Sequence, residues 1–155
     1  MSKMIRFLKV SLLTLGLIII SANAYSQGGI DNGTRAVFIF DISKYIDFGA
    51  GFADSSVFKI GVLDKTSELF LEMGNVAKTR NTIQGKPVQL VKFYNEDKIV
   101  HTQVIYLNKA SGYNLNKVKA MLNGRQTLIL TEGYEFRESM INFMGVEGAM
   151  PKYGV

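Results

Sequence analysis

Apolar positions along this chain change their period several times, and each change marks an element. Ser11 to Ile20 is an almost unbroken apolar run with no period. Tyr25 to Gly33 is polar and glycine-rich, a short flexible lead. Val37, Phe38, Ile42, Tyr45 and Ile46 then recur at three- and four-residue spacings, one stripe of a helix predicted over Arg35 to Phe48. Thr34 is its expected N-cap, and Gly49-Ala50-Gly51 its end. Val57 to Leu63 is short and β-branched, a strand buried on at least one face. Asp64 reads as the cap or turn residue before a helix from Thr66 to Ala77, with Leu69, Phe70 and Met73 inward.

Asn81 to Pro87 has turn composition, and Val88 to Phe93 alternates as a second strand. Val104 to Leu107 is a third strand. Tyr113 to Asn123 is a helix with Leu115, Val118 and Leu122 inward and Gly124 just beyond its end. Thr127 to Thr131 is a fourth strand, and an irregular stretch covers Gly133 to Arg137. Met140 to Met144 is a fifth strand, Gly148 to Lys152 has turn character, and Tyr153-Gly154-Val155 opens a sixth. Strands alternating with helices through short loops predict an α/β layered sandwich, with a mostly parallel central sheet of about five to six strands flanked by helices. The last two strands are expected to form an antiparallel hairpin at the C-terminal edge.

The opening run explains itself once its flanks are read. Lys3, Arg6 and Lys9 supply a positive start, and Ser21-Ala22-Asn23-Ala24 places small side chains where a signal peptidase needs them. A bilayer span takes about 20 apolar residues, twice the length of this core. Residues 1–24 are therefore expected to be a cleaved secretory signal, cut after Ala24. Residues 25–33 are the lead and 34–155 a single domain, working in the periplasm. No later segment is apolar for long enough to cross a bilayer.

Signal removal changes the charge. The chain has 18 Lys+Arg against 13 Asp+Glu, and the signal holds three of the basic residues, leaving 15 against 13, a net of +2. The high pI is thus partly an export feature and gives no reason to invoke nucleic acid. There is no cysteine, which rules out disulfides, thiolate chemistry and lipidation after the signal.

Candidate chemistry is sparse, and neither a cofactor nor a metal is expected. His101 is the single histidine and sits among polar neighbours before a strand, where it reads as a surface or capping residue. No serine occupies a nucleophile elbow, and Gln84-Gly85-Lys86-Pro87 fails as a phosphate loop because Pro87 lacks an N–H. Glu68 and Glu72 share an outward helix face, and Glu132, Glu135 and Glu138 cluster near a loop; both groups read as solvated carboxylates. Lys78, Arg80, Lys86, Lys92 and Lys98 make the middle of the chain mildly basic, a solvated face or one that meets an acidic partner. Tyr113, Tyr134, Phe136 and Tyr153 fall in loops or at element ends, where aromatic residues can anchor a protein interface.

Read in order, these segments resemble the YfiR-like family of periplasmic regulators. Lys44-Tyr45-Ile46-Asp47-Phe48 is similar to the aromatic end of the family's opening helix, and Phe58 to Leu63 to its first strand. Ile83-Gln84-Gly85-Lys86-Pro87-Val88 resembles its turn into a strand, and Gln103 to Leu107 its buried strand. Thr127 to Glu132 followed by Met140 to Phe143 is similar to its closing run. The chain departs from the pattern at Asp47-Phe48-Gly49, where a tryptophan-proline pair is common. It also lacks the regulatory cysteines of some members and ends at Val155, where relatives continue through a strand and a closing helix.

The resemblance implies a non-enzymatic protein that binds the periplasmic part of a membrane signalling enzyme, a diguanylate cyclase of cyclic-di-GMP signalling or a histidine kinase of a two-component system. Tyr113, Tyr134, Phe136 and Tyr153 are the expected partner contacts. A homodimer remains open, and so does a periplasmic small-ligand-binding module, which would need an apolar pocket with a few convergent polar groups.

Overall fold

The computed structural model describes residues 30–135, 140–143 and 153–154. Helix α1 spans Asn32–Ile42, and a single helical turn, α2, spans Ala50–Ala53. Strand β1 (Phe58–Leu63) leads into helix α3 (Glu68–Thr79). A short strand β2 (Thr82–Ile83) turns into β3 (Lys86–Phe93). Strand β4 (Val104–Asn108), helix α4 (Leu115–Met121), and strands β5 (Leu128–Glu132), β6 (Ile141–Phe143) and β7 (Tyr153–Gly154) complete the order.

Among the described residues the strands form one sheet in the order β2-β3-β1-β4-β5-β6-β7. The pairs from β3 through β6 are parallel; β2–β3 and β6–β7 are antiparallel. The α/β sandwich and its terminal antiparallel pair are as the apolar pattern predicts. The near-continuous apolar runs of β1, β4 and β5 follow from burial on both faces. Phe58, Ile60, Val62, Val104, Tyr106, Leu128 and Leu130 pack under α1 and α3, and Leu63, Ile105, Leu107 and Ile129 pack against α4.

Several boundaries differ from expectation. The first helix stops at Ile42, six residues early, because Ser43 Oγ donates to the Ile39 carbonyl at 2.6 Å and the chain turns through residues 43–45. Phe48, expected on that helix, instead sits 3% exposed in the core, stacked edge-on with Phe58. The N-cap is Asp31, not Thr34: its carboxylate accepts from the Thr34 N–H at 2.9 Å and the Thr34 hydroxyl at 2.6 Å. Gly49-Ala50-Gly51 does not simply end a helix, since Gly49, at φ 67°, starts α2. The helix expected from Thr66 begins at Glu68, because Asp64 holds Thr66 in a turn.

The turn expected over Asn81 to Pro87 contains a two-residue hairpin through Gln84 and Gly85, both at positive φ. Gln84 is held there by its own side chain, whose amide donates to the carbonyls of Ser43 at 3.0 Å and Ile46 at 2.8 Å. Pro87 belongs to β3 rather than to the turn. Part of the irregular stretch, the Gly148 to Lys152 turn and Phe136 lie outside the described residues.

Candidate functional site

The strand order changes direction at β1: the chain goes from β1 to β3 on one side, then crosses to β4 on the other. In an open parallel sheet, a crevice outside the carboxyl ends of two such strands is the usual ligand position. Here the two loops that border that crevice are bonded to each other. Asp64, after β1, is 4% exposed and accepts from the Ser111 hydroxyl at 2.8 Å and the Thr66 hydroxyl at 3.0 Å. Ser111, after β4, in turn accepts from the Lys65 N–H at 2.9 Å. The two loops are thereby fastened together. Asp64 was read as a cap or turn residue, and it is a turn residue with an added partner 47 positions away.

Beside this fastening lies a second buried polar group. Arg35 donates to Glu132 at 2.6 Å and to the Ile30 carbonyl at 2.9 Å, and also to Asn32 Oδ1. The Tyr106 hydroxyl donates to the other carboxylate oxygen of Glu132. Burial, and next the Glu132 charge, raise the Tyr106 pKa far above the phenol range, so it remains a neutral donor. Glu132 was expected to be solvated; it is ion-paired because α1 brings Arg35 across the end of β5. This arrangement binds α1, β4 and β5 together.

The expected contact residues divide. Tyr113 and Tyr134 meet at the carboxyl end, where the Tyr134 hydroxyl donates to the Tyr113 carbonyl at 2.8 Å. Tyr134 is 9% exposed, its ring packed in the cluster under α4, while Tyr113 is half-buried. Burial and then Glu96 raise the Tyr113 pKa. Tyr153 pairs by its backbone with Phe143, and Phe136 lies outside the described residues. The structure therefore joins two of the four.

The opposite, amino end of the sheet carries a cleft of about 340 Å³ lined by Phe48, Phe52, His101, Gln103, Arg125 and Gln126. Loss of hydration, then Arg125, lower the His101 pKa. Periodicity could not reveal this cleft, since its residues come from three separate loops.

Among the described residues no group of three or more His, Asp or Glu could hold a metal ion, and no helix is long and apolar enough to cross a membrane. Large apolar side chains stand exposed at Tyr45, Leu71, Tyr94, Val100 and Met140. A family model described as YfiR/HmsC-like matches residues 32–150, and no curated protein matches the chain.

Proposed function

The chain belongs to the YfiR/HmsC-like family, and from that premise we propose that it is an exported regulator that binds rather than transforms. Residues 1–24 direct export and are removed, a short lead follows, and the domain, taken from Ile30 and the Asp31 cap of α1 onward, acts as one unit in the periplasm. Its partner is the periplasmic part of a membrane signalling enzyme, a diguanylate cyclase or a histidine kinase. Binding to one conformation of that sensor region shifts its equilibrium and so tunes the output.

The family match over residues 32–150 carries this reading, because it spans nearly the whole described fold. The carboxyl-end geometry supports it: polar groups that could otherwise do chemistry are paired with one another, as Asp64 with Ser111 and Arg35 with Glu132. Of the two contact residues whose burial is described, Tyr113 is the more accessible, with Tyr134 positioning it; Phe136 and Tyr153 complete the set by their place in the chain.

Co-purification of the tagged, exported protein from solubilised membranes of its host tests the reading. Stoichiometric recovery of one membrane cyclase or kinase is the expected result. Recovery of the protein alone, at native expression and gentle salt, would overturn it. The amino-end cleft favours a second reading, a periplasmic ligand-binding module: aromatic Phe48 and Phe52 lie beside His101 and Arg125, a setting for a small planar anion. Saturable thermal stabilisation by such a molecule would support it.

A further inference from the structure

Strand β2 is only two residues long and pairs with Lys86 and Pro87 alone. The Val88 N–H continues that edge by donating to the Asn81 carbonyl at 2.9 Å. Beyond Val88 the edge of β3 is open. Backbone groups of a strand point alternately to its two sides, so those of Leu90 and Lys92 share the outward direction of Val88, while Gln89 and Val91 face β1. Neither outward N–H has an acceptor among the described residues.

Helix α3 overhangs this edge. Its Glu68–Leu71–Glu72 flank faces α1, as the Asn32–Glu68 hydrogen bond at 3.1 Å shows. On helical spacing, Phe70, Gly74 and Ala77 occupy the opposite flank, toward β3 and away from α1. The heights agree: Lys92 Nζ reaches the Thr66 carbonyl and Ser67 Oγ at the top of α3, at 2.9 and 2.6 Å. A strand descends about 3.3 Å per residue and a helix about 1.5 Å, which places Gly74 between the levels of Leu90 and Val88. A Cβ at Gly74 would meet nothing within 4 Å. Phe70, Gly74 and half-buried Leu90 thus make an apolar shelf above an unpaired main chain.

We infer that this edge takes up an extended, acidic segment of the regulated partner as an additional strand, with an apolar side chain under the shelf and a carboxylate beside Lys92. Strand addition draws affinity from main-chain hydrogen bonds and specificity from alternate side chains. The charge selects the occupant. From Met73 to Asn95 the chain has Lys78, Arg80, Lys86 and Lys92 and no carboxylate. Arg80 is paired with Asp41, and Lys86, within the β2 pairing, donates to the carbonyls of Phe52, Ala53 and Ser55. Lys92, on the open stretch, donates to Thr66 and Ser67 and has no carboxylate partner among the described residues. A second copy paired on this short stretch would bring its own Lys92 beside this one on the same face, the device by which edge strands reject one another. An acidic segment meets no such repulsion.

The assignment of the segment to a signalling protein rests on the regulator reading; the open edge does not. Amide exchange on the purified protein tests the edge. Leu90 and Lys92 are expected to exchange at least about a hundredfold faster than Gln89 and Val91, which bond β1. Equal protection of all four would overturn the inference. Photo-crosslinking in the host tests the occupant, with a benzophenone residue at exposed Gln89 and, separately, at Tyr113. An adduct at Gln89 whose mapped peptide is acidic and extended is expected. Gly74→Glu is expected to cut its yield at least about tenfold while leaving the melting temperature unchanged or higher. Adducts at Tyr113 alone would overturn the edge and leave the regulator reading standing; failure of the co-purification would remove that reading itself. A Gln89 adduct to a second copy of this chain would also overturn the inference.

Discussion

Arg35, in the first turn of α1, donates to Glu132, at the end of β5, at 2.6 Å across 97 positions of sequence. The pair fixes α1 over the sheet, and the Tyr106 hydroxyl shares the same carboxylate. Arg35→Met is expected to destabilise the fold by about 3 kcal/mol, because it strands a largely buried carboxylate. Arg35→Met combined with Glu132→Gln should recover more than half of that, since the amide oxygen still accepts from Tyr106. Urea unfolding midpoints at unchanged slope check both.

Ser111 links the loop after β4 to the loop after β1: its hydroxyl donates to Asp64 and accepts from the Lys65 N–H. Ser111→Ala should cost about 1–3 kcal/mol, the desolvation of two partners left short. Thermal melting of the variant checks this. Amide exchange should quicken at Lys65 and Thr66 first, where the loop loses its acceptor.

His101 has a pKa below its ordinary 6.5 in the folded state. The unfolded chain therefore binds more protons as pH falls below that value, and folding stability falls with it. The contribution is complete above pH 6.5 and lost as pH drops through the folded-state pKa. His101→Gln should flatten the pH dependence of the unfolding midpoint just below pH 6.5. An unchanged slope would show that His101 is not its source.

Two helix and strand glycines should respond with opposite sign to alanine. At Gly61, in β1, an added Cβ would lie 2.6 Å from Phe93 Cε2, and Gly61→Ala should destabilise by about 1–3 kcal/mol through overpacking. At Gly74 the space is open, and Gly74→Ala should stabilise α3 by about 0.5–1 kcal/mol. Paired denaturation curves distinguish the two.

Legibility followed the range of the forces involved. The inward faces of α3 and α4 could be read from spacing, and the central parallel strands from short unbroken apolar runs, because both of their faces are buried. Gln84-Gly85 lacks the usual asparagine-glycine signature, and its positive φ is secured by carbonyls 38 and 41 positions away; the hairpin was therefore read only as a turn. Glu132 carries no local mark that separates a solvated carboxylate from a paired one, and only α1 overhead makes the difference.

The sequence by itself determined the alternation of elements and the absence of thiol chemistry, because these depend on composition and local period. Tertiary structure alone decided that Asp64 meets Ser111, that the Tyr134 hydroxyl meets the Tyr113 carbonyl, and that no strand among the described residues covers the outer edge of β3 beyond Val88. Each of these arises where strands distant in sequence are laid side by side, and hydrogen bonding between such strands leaves no periodic trace in either one.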